Sequence, residues 1–258
     1  MAIILKGKNE LKHMRRAGRV AQRILMELGE AAQGGATGRE LDRLARKLLD
    51  QNGAKSPFLG QRSGDAPPYP CVITVSTNDA IVHGIPTETA FHPGDLASLD
   101  VGAILNGFIG DTAGTFAVGQ PTPRGERLMR ITKEALYKGI EKAIVGNTVG
   151  DISAAIQSHV EGHGYSIVRE LVGHGVGKTM HEDPNVPNFG KAGSGPKLRA
   201  GMTIAIEPMV NEGKAAVKTL KDKWTVVTKD GSLSAHFEHT VAVLSDGPEI
   251  LTIDDRKL

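Results

Sequence analysis

LASLDVGAILNGFIGDTAGTF, residues 96–116, decides how the chain folds. Its middle, Asn106-Gly107, is the strongest short hairpin signal a sequence offers. With a two-residue turn Leu105 faces Phe108, and the pairing runs back until Asp100 lies opposite Ala113. Side chains on one face of a strand repeat every second residue. Asp100 and Asp111 therefore share a face as diagonal neighbours, roughly 7 Å apart at Cβ. Both stand among apolar residues, where an unpaired charge is almost never kept. Either one carboxyl is protonated or cations sit between them.

The surrounding chain has the bulk of an ordinary soluble globular protein. It has 258 residues, 40% hydrophobic and 23% charged, with a formal net charge of +2. That is room for one large domain or two smaller ones. No run approaches the roughly 20 apolar residues of a membrane span, and MAIILKGKNE has no signal-peptide hydrophobic region. Cys71 is the only cysteine, which excludes an internal disulfide and a cysteine-based zinc finger. These features point to the cytoplasm. Lys191, Lys197 and Arg199 cluster mildly in a Gly-rich stretch that reads as a solvated loop. Nothing predicts sequence-specific nucleic-acid binding.

Outward from the hairpin the chain repeats itself. Residues 10–28 carry Leu11, Met14, Val20, Ala21, Ile24, Leu25 and Leu28 at helical spacing. Thr37 and Glu40 form a capping box for a helix that buries Leu41, Leu44, Ala45, Leu48 and Leu49 and stops at Gly53. A Gly- and Pro-rich loop follows, and Cys71 to Val82 reads as strand. After Pro121 and Pro123 the order restarts. Residues 124–144 read as a helix with Leu128, Ile131, Ala135, Ile140 and Ile144 on its stripe. Thr148 and Asp151 cap another, carrying Ile152, Ala155, Ile156 and Val160 to Gly164. PGDLASLDV (93–101) aligns with AGMTIAIEP (200–208), so Gly94 falls on Gly201 and Asp100 on Glu207. Asp111 has its counterpart in Glu238. The chain is a two-copy repeat of helix, helix, then strands, with halves of about 1–120 and 121–258 in a single domain.

Two similar halves packed about a pseudo-two-fold axis would bring Asp100, Asp111, Glu207 and Glu238 together. Like charges about 4 Å apart cost roughly 4 kcal/mol at an effective dielectric of 20. Two divalent cations would neutralise the cluster, and oxygen-rich sites suit Mn, Mg, Fe or Co. Among the nine histidines, His174 sits in Gly173-His-Gly-Val-Gly177, where glycines allow close backbone approach. His181 follows in Met-His-Glu-Asp-Pro. His83 opens a Gly-Ile-Pro turn straight after a strand, where site residues gather. His159 and His163 stand at i and i+4, but HVEGH is not the metalloprotease order, and they read as structural. His236 shares a strand face with Glu238, and His239 points the other way.

The stretches VHGIP (82–86), LDVGAILNGFIGDTAGTF (99–116), LVGHGVG (171–177), MHEDP (180–184), IAIEPMV (204–210) and FEHT (237–240) together resemble the bacterial type I methionine aminopeptidases over essentially the whole chain. The resemblance implies the α+β pita-bread fold: a central curved antiparallel sheet with its two pairs of helices on one side. It implies hydrolytic release of the N-terminal, initiator methionine from nascent polypeptides, preferring a small second residue. It implies two divalent metal ions per chain (Co, Mn, Fe, Zn or Ni), with room for an additional monovalent cation. Carried over by motif, Asp100, Asp111, His174, Glu207 and Glu238 are the metal ligands, with Asp111 and Glu238 bridging, and Glu207 is also the general base. His83 and His181 hold the substrate amide and stabilise the oxyanion. Tyr69, Trp224 and Met180 line the methionine pocket, with Met180 where the family often has an aromatic. Phe58 and Thr74 stand near the family's frequent pocket cysteines, and the loop at 60–68 differs from the family's shorter one. The resemblance further implies a cytoplasmic monomer with transient ribosome contact, no specific nucleic acid and no membrane. Two rivals share the fold. A proline-specific aminopeptidase or prolidase is disfavoured, because only about ten residues precede the first helix. A non-catalytic binding protein is disfavoured, because all five ligands are present.

Overall fold

The computed structural model describes residues 2–253. The first half runs α1 (Lys8–Ala31), α2 (Gly38–Gln51), β1 (Thr74–Thr77), β2 (Ala80–Val82), β3 (Leu96–Leu105) and β4 (Phe108–Ala117). The second runs α3 (Pro123–Ile140), α4 (Val149–Gly162), β5 (Ser166–Ile167), β6 (Gly173–Gly175), β7 (Glu182–Val186), β8 (Thr203–Ile206), β9 (Met209–Asn211), β10 (Val217–Thr219), β11 (Val226–Thr228), β12 (Ser234–His236), β13 (Glu238–Leu244) and β14 (Gly247–Ile250).

The main sheet is antiparallel in the order β1-β3-β4-β13-β8-β6-β7, and β14 pairs with the far end of β13. The hairpin has the register read from its turn: Leu105 faces Phe108 and Asp100 faces Ala113. Asn106 (φ 53°) and Gly107 (φ 78°) are both left-handed, the conformation a tight two-residue hairpin turn demands. The two copies of the repeat meet at the β4–β13 seam, where β3-β4 of one abuts β13-β8 of the other. Gly94 and Gly201, aligned by the repeat, both adopt positive φ (95° and 92°) immediately before their strands.

The helices cover one face of this sheet. Helix α1 lies so close to the hairpin that a Cβ on Gly110 would stand 2.3 Å from the Gly18 amide nitrogen. Its buried stripe packs with α2 against Leu99, Val101 and Ala103 of β3. In the second half Leu128, Ile131 and Ala135 of α3 join Ile152 and Ile156 of α4 over Ile204 and Ile206. Both expected caps form: the Thr37 amide donates to Glu40 at 2.8 Å and the Thr148 amide to Asp151 at 2.7 Å.

Two expectations need correction. The strand read from Cys71 to Val82 is two strands, because Asn78 turns left-handed (φ 59°) and its side chain binds Asp95 and the Leu96 amide. The helix read over 124–144 ends at Ile140, and Ile144 is 40% exposed. Beyond that point the backbone pairs with another segment: Gly146 donates to the Leu198 carbonyl and Leu198 to that of Asn147. This pairing overrides the helical periodicity.

Candidate metal centre

The face of the sheet opposite the helices carries the acids, and strand register places them. Asp100, Ala113 and Glu238 face one another across β3, β4 and β13. Ala113, the small residue in this row, leaves the space between the carboxylates open. Asp111 is two residues along β4, hence on the same face. His239 pairs with Ile206, so Glu207 emerges at the end of β8 one step on, beside Glu238. His174 enters from β6, which pairs with β8. Polar backing fixes these strands: Thr240 Oγ1 donates to the Asp111 carbonyl at 2.8 Å, and Asn188 Nδ2 donates to the Glu207 carbonyl at 3.0 Å.

The ligand atoms of Asp111, His174 and Glu238 lie within 4.8 Å of one another, and all three residues are buried. His174 Nε2 is 3.7 Å from Asp111 Oδ2 and 3.5 Å from Glu207 Oε1. Its Nδ1 donates to the Gly175 carbonyl at 2.9 Å, which directs the Nε2 lone pair into the acid cluster. Asp100 Oδ1, Asp111 Oδ1 and Glu238 Oε1 are buried without a hydrogen-bond donor. Such orphaned acceptors are rare in native interiors.

The electrostatics agree. Burial pushes the Asp111 carboxyl up to about 7. Burial, then the Asp111 charge, raises Asp100, Glu207 and Glu238 well above the carboxylate range. Desolvation lowers His83 and His174 to about 4, each pushed further by neighbouring His181, so both rings are neutral. A set of hard carboxylate oxygens with one neutral imidazole fits divalent cations.

The same cavity, about 430 Å³, is also lined by His83, His181, Tyr69, Trp224 and Met180. Every residue singled out in the sequence as ligand, base or pocket wall faces it. Tyr69 and Trp224 meet edge to face at 5.1 Å between ring centroids. The Tyr69 hydroxyl donates to the Gly84 carbonyl at 2.8 Å, and Trp224 Nε1 donates to the Pro67 carbonyl at 2.8 Å. The 60–68 loop thus buttresses the indole and itself contributes Gln61 and Ser63 to the lining, beside Phe58 and Thr74. His236 Nε2 is 3.8 Å from Glu207 Oε2. Outside the cavity, His159 reaches Glu134 at 3.1 Å and His163 its own helix at 2.7 Å, as structural histidines do. Sequence reasoning gave no role to the lining residues Leu171, Met209 and Val226, ordinary apolar residues, although Leu171 and Met209 stand inside LVGHGVG and IAIEPMV. It also missed Asn188 and Thr240, which act through backbone carbonyls far away in sequence.

Residues 12–245 match the model of metallopeptidase family M24. The chain belongs to that family. The M24 chain is 51% identical to the methionine aminopeptidase of Clostridium perfringens, over 97% of its own length and 99% of the relative's. The crystal structure of methionine aminopeptidase from Thermotoga maritima has a TM-score of 0.94 at 41% identity, covering 98% of this chain and 100% of that one. Prolidase from Pyrococcus furiosus is more distant, with a TM-score of 0.77 at 25% identity. There the match takes 98% of this chain but only 66% of the prolidase.

Proposed function

We propose that this chain is a methionine aminopeptidase that removes the initiator methionine from peptides and nascent proteins, preferring a small second residue. The carrying observation is one cavity lined by Asp100, Asp111, Glu207, Glu238 and His174 together with His83, His181, Tyr69, Trp224 and Met180. The full-length similarity to methionine aminopeptidases supports the same reading. Asp100, Asp111, His174, Glu207 and Glu238 would hold the two divalent ions. Bound there, the pair supplies a water activated near neutral pH and a Lewis acid for the scissile carbonyl.

The chain's own groups do the rest. Glu207 takes the proton as the water oxygen bonds to the carbonyl carbon, and delivers it to the leaving nitrogen as the C–N bond breaks. His181 and His83, neutral at working pH, hold the substrate amide and donate to its carbonyl oxygen as negative charge grows there. Tyr69, Trp224 and Met180 enclose the methionine side chain and exclude water. The acid cluster would receive a free amino terminus, which restricts cleavage to the first residue.

The reading extends to a single catalytic domain, halves 1–120 and 121–258, working as a cytoplasmic monomer on nascent N-termini in transient contact with ribosomes. Among the described residues no helix is long and apolar enough to cross a membrane. The test offers metal-stripped protein a Met-Ala-Ser peptide and a Xaa-Pro peptide, with Mn, Fe or Co added back. Release of methionine, with the Xaa-Pro peptide intact, is expected. Cleavage of the Xaa-Pro peptide alone would make the protein a prolidase relative in function as well as fold. Silence with every metal would leave only the non-catalytic reading.

A further inference from the structure

We propose that Lys6 is a positioning residue for His181, acting through Glu182. Lys6 is 6% exposed, although Ile4 and Leu5 beside it are 51% and 46% exposed. Its amide donates to the Gly201 carbonyl at 2.7 Å, which pins the segment ahead of α1 to the turn before β8. Its ammonium then reaches 2.5 Å from Glu182 Oε2, with both side chains at most 5% exposed. It donates as well to the Ile4 carbonyl at 3.3 Å.

The other oxygen of Glu182 points into the β6–β7 loop. Oε1 accepts from the Lys178 amide at 3.0 Å and the Thr179 amide at 3.4 Å. The loop therefore curls around a carboxylate whose only cationic partner among the described residues is Lys6. The pair packs closely against two glycines. A Cβ on Gly177 would stand 2.5 Å from Glu182 Oε1 and 2.7 Å from Lys6 Cε. One on Gly201 would stand 2.9 Å from the Lys6 carbonyl oxygen.

The loop held this way carries Met180 and His181, both lining the cavity. The His181 ring meets the His174 ring edge-on at 4.4 Å. Stability does not explain the arrangement, because a buried ion pair is generally no better than an apolar pair of similar volume. What the pair supplies is a fixed loop path, since an acceptor at that one point selects a single arrangement of the 178–179 amides. Breaking it from one side leaves a buried charge without a partner, and the loop must rearrange to solvate it. The proposal rests on the reading of His181 as the group that holds the substrate carbonyl.

Three variants test it: K6M, E182Q and the double variant. Each is read by kcat and KM on Met-Ala-Ser, by metal stoichiometry, and by hydrogen–deuterium exchange over residues 176–182 compared with the β3–β4 hairpin. In K6M and in E182Q kcat should fall at least tenfold, with two ions still taken up. Exchange should quicken at 176–182 and not in the hairpin. The double variant should recover to within a few-fold of wild type, because a neutral glutamine still accepts the two amides and needs no cation. K6M that turns over at the wild-type rate with an unchanged loop would overturn the proposal. So would exchange quickened uniformly with kcat per folded molecule intact, the signature of a bulk structural role. If K6M does not fold, the double variant decides: recovered activity supports the proposal, and activity as low as that of E182Q overturns it. A wild-type protein releasing no methionine would defeat the reading of His181, while loop exchange would still report on Lys6.

Discussion

Glu207, the proposed general base, is secured at both ends. Asn188 holds its carbonyl, while its carboxylate faces His174 at 3.5 Å and His236 at 3.8 Å. Replacing it by glutamine keeps the shape and removes the base. Glu207→Gln should fold normally and lose at least about 100-fold in kcat, checked by steady-state methionine release alongside far-ultraviolet circular dichroism. Near-wild-type turnover would refute the assignment. The histidines make a second prediction at this scale. Burial holds His83 and His174 near 4 and His236 near 3, well below the ordinary imidazole value. A group with a depressed pKa is already neutral above it. The acid limb of kcat should therefore show no inflection at about 6.5 from these rings, and a His83→Asn variant should lower kcat without shifting that limb. A limb moved by the substitution would assign His83 a titrating role.

At the scale of elements, the hairpin is stiff because its partners leave no slack. Helix α1 crosses β4 at Gly18 and Gly110 in backbone-to-backbone contact. Gly110→Ala puts a methyl into that contact and should destabilise the fold by about 2 kcal/mol or more, read as a lowered urea midpoint at unchanged slope. A variant as stable as wild type would mean that the helix can move away from the sheet. This element also marks how much of the structure was legible in the sequence. Asn106-Gly107 and strand parity sufficed to place Asp100 and Asp111 on one face, since both depend only on local backbone geometry. The break at Asn78 and the early end of α3 at Ile140 depend on partners at Asp95 and Leu198, which no local pattern announces. The acids and histidines of the cavity stood out by their side-chain chemistry. Leu171, Met209 and Val226 did not, even where they stand inside the same motifs, because an apolar residue lining a cavity looks like one lining a core.

For the whole molecule, pH and metal are linked through the buried acids. The Asp111 carboxyl, raised to about 7, contributes stability that is present below about 4 and lost as pH rises through 7. Asp100, Glu207 and Glu238 are shifted in the same direction. His83 and His174, lowered to about 4, contribute stability that is present above about 6.5 and lost as pH falls through 4. The two sets oppose each other between 4 and 6.5, and above that only the carboxylates still titrate. Metal-stripped protein should therefore lose several degrees of Tm between pH 6.5 and 8. Saturating Mn should remove that loss, because it binds the ionised form. A metal-free Tm that stays flat or rises over this range would contradict the linkage. The most direct measurement is anomalous diffraction at the Mn edge from crystals soaked in that ion. Two peaks are expected on the β4–β13 seam, both within reach of Asp111 and Glu238, one flanked by Asp100 and the other by His174 and Glu207. Crystals with no anomalous peak among these side chains would contradict the account.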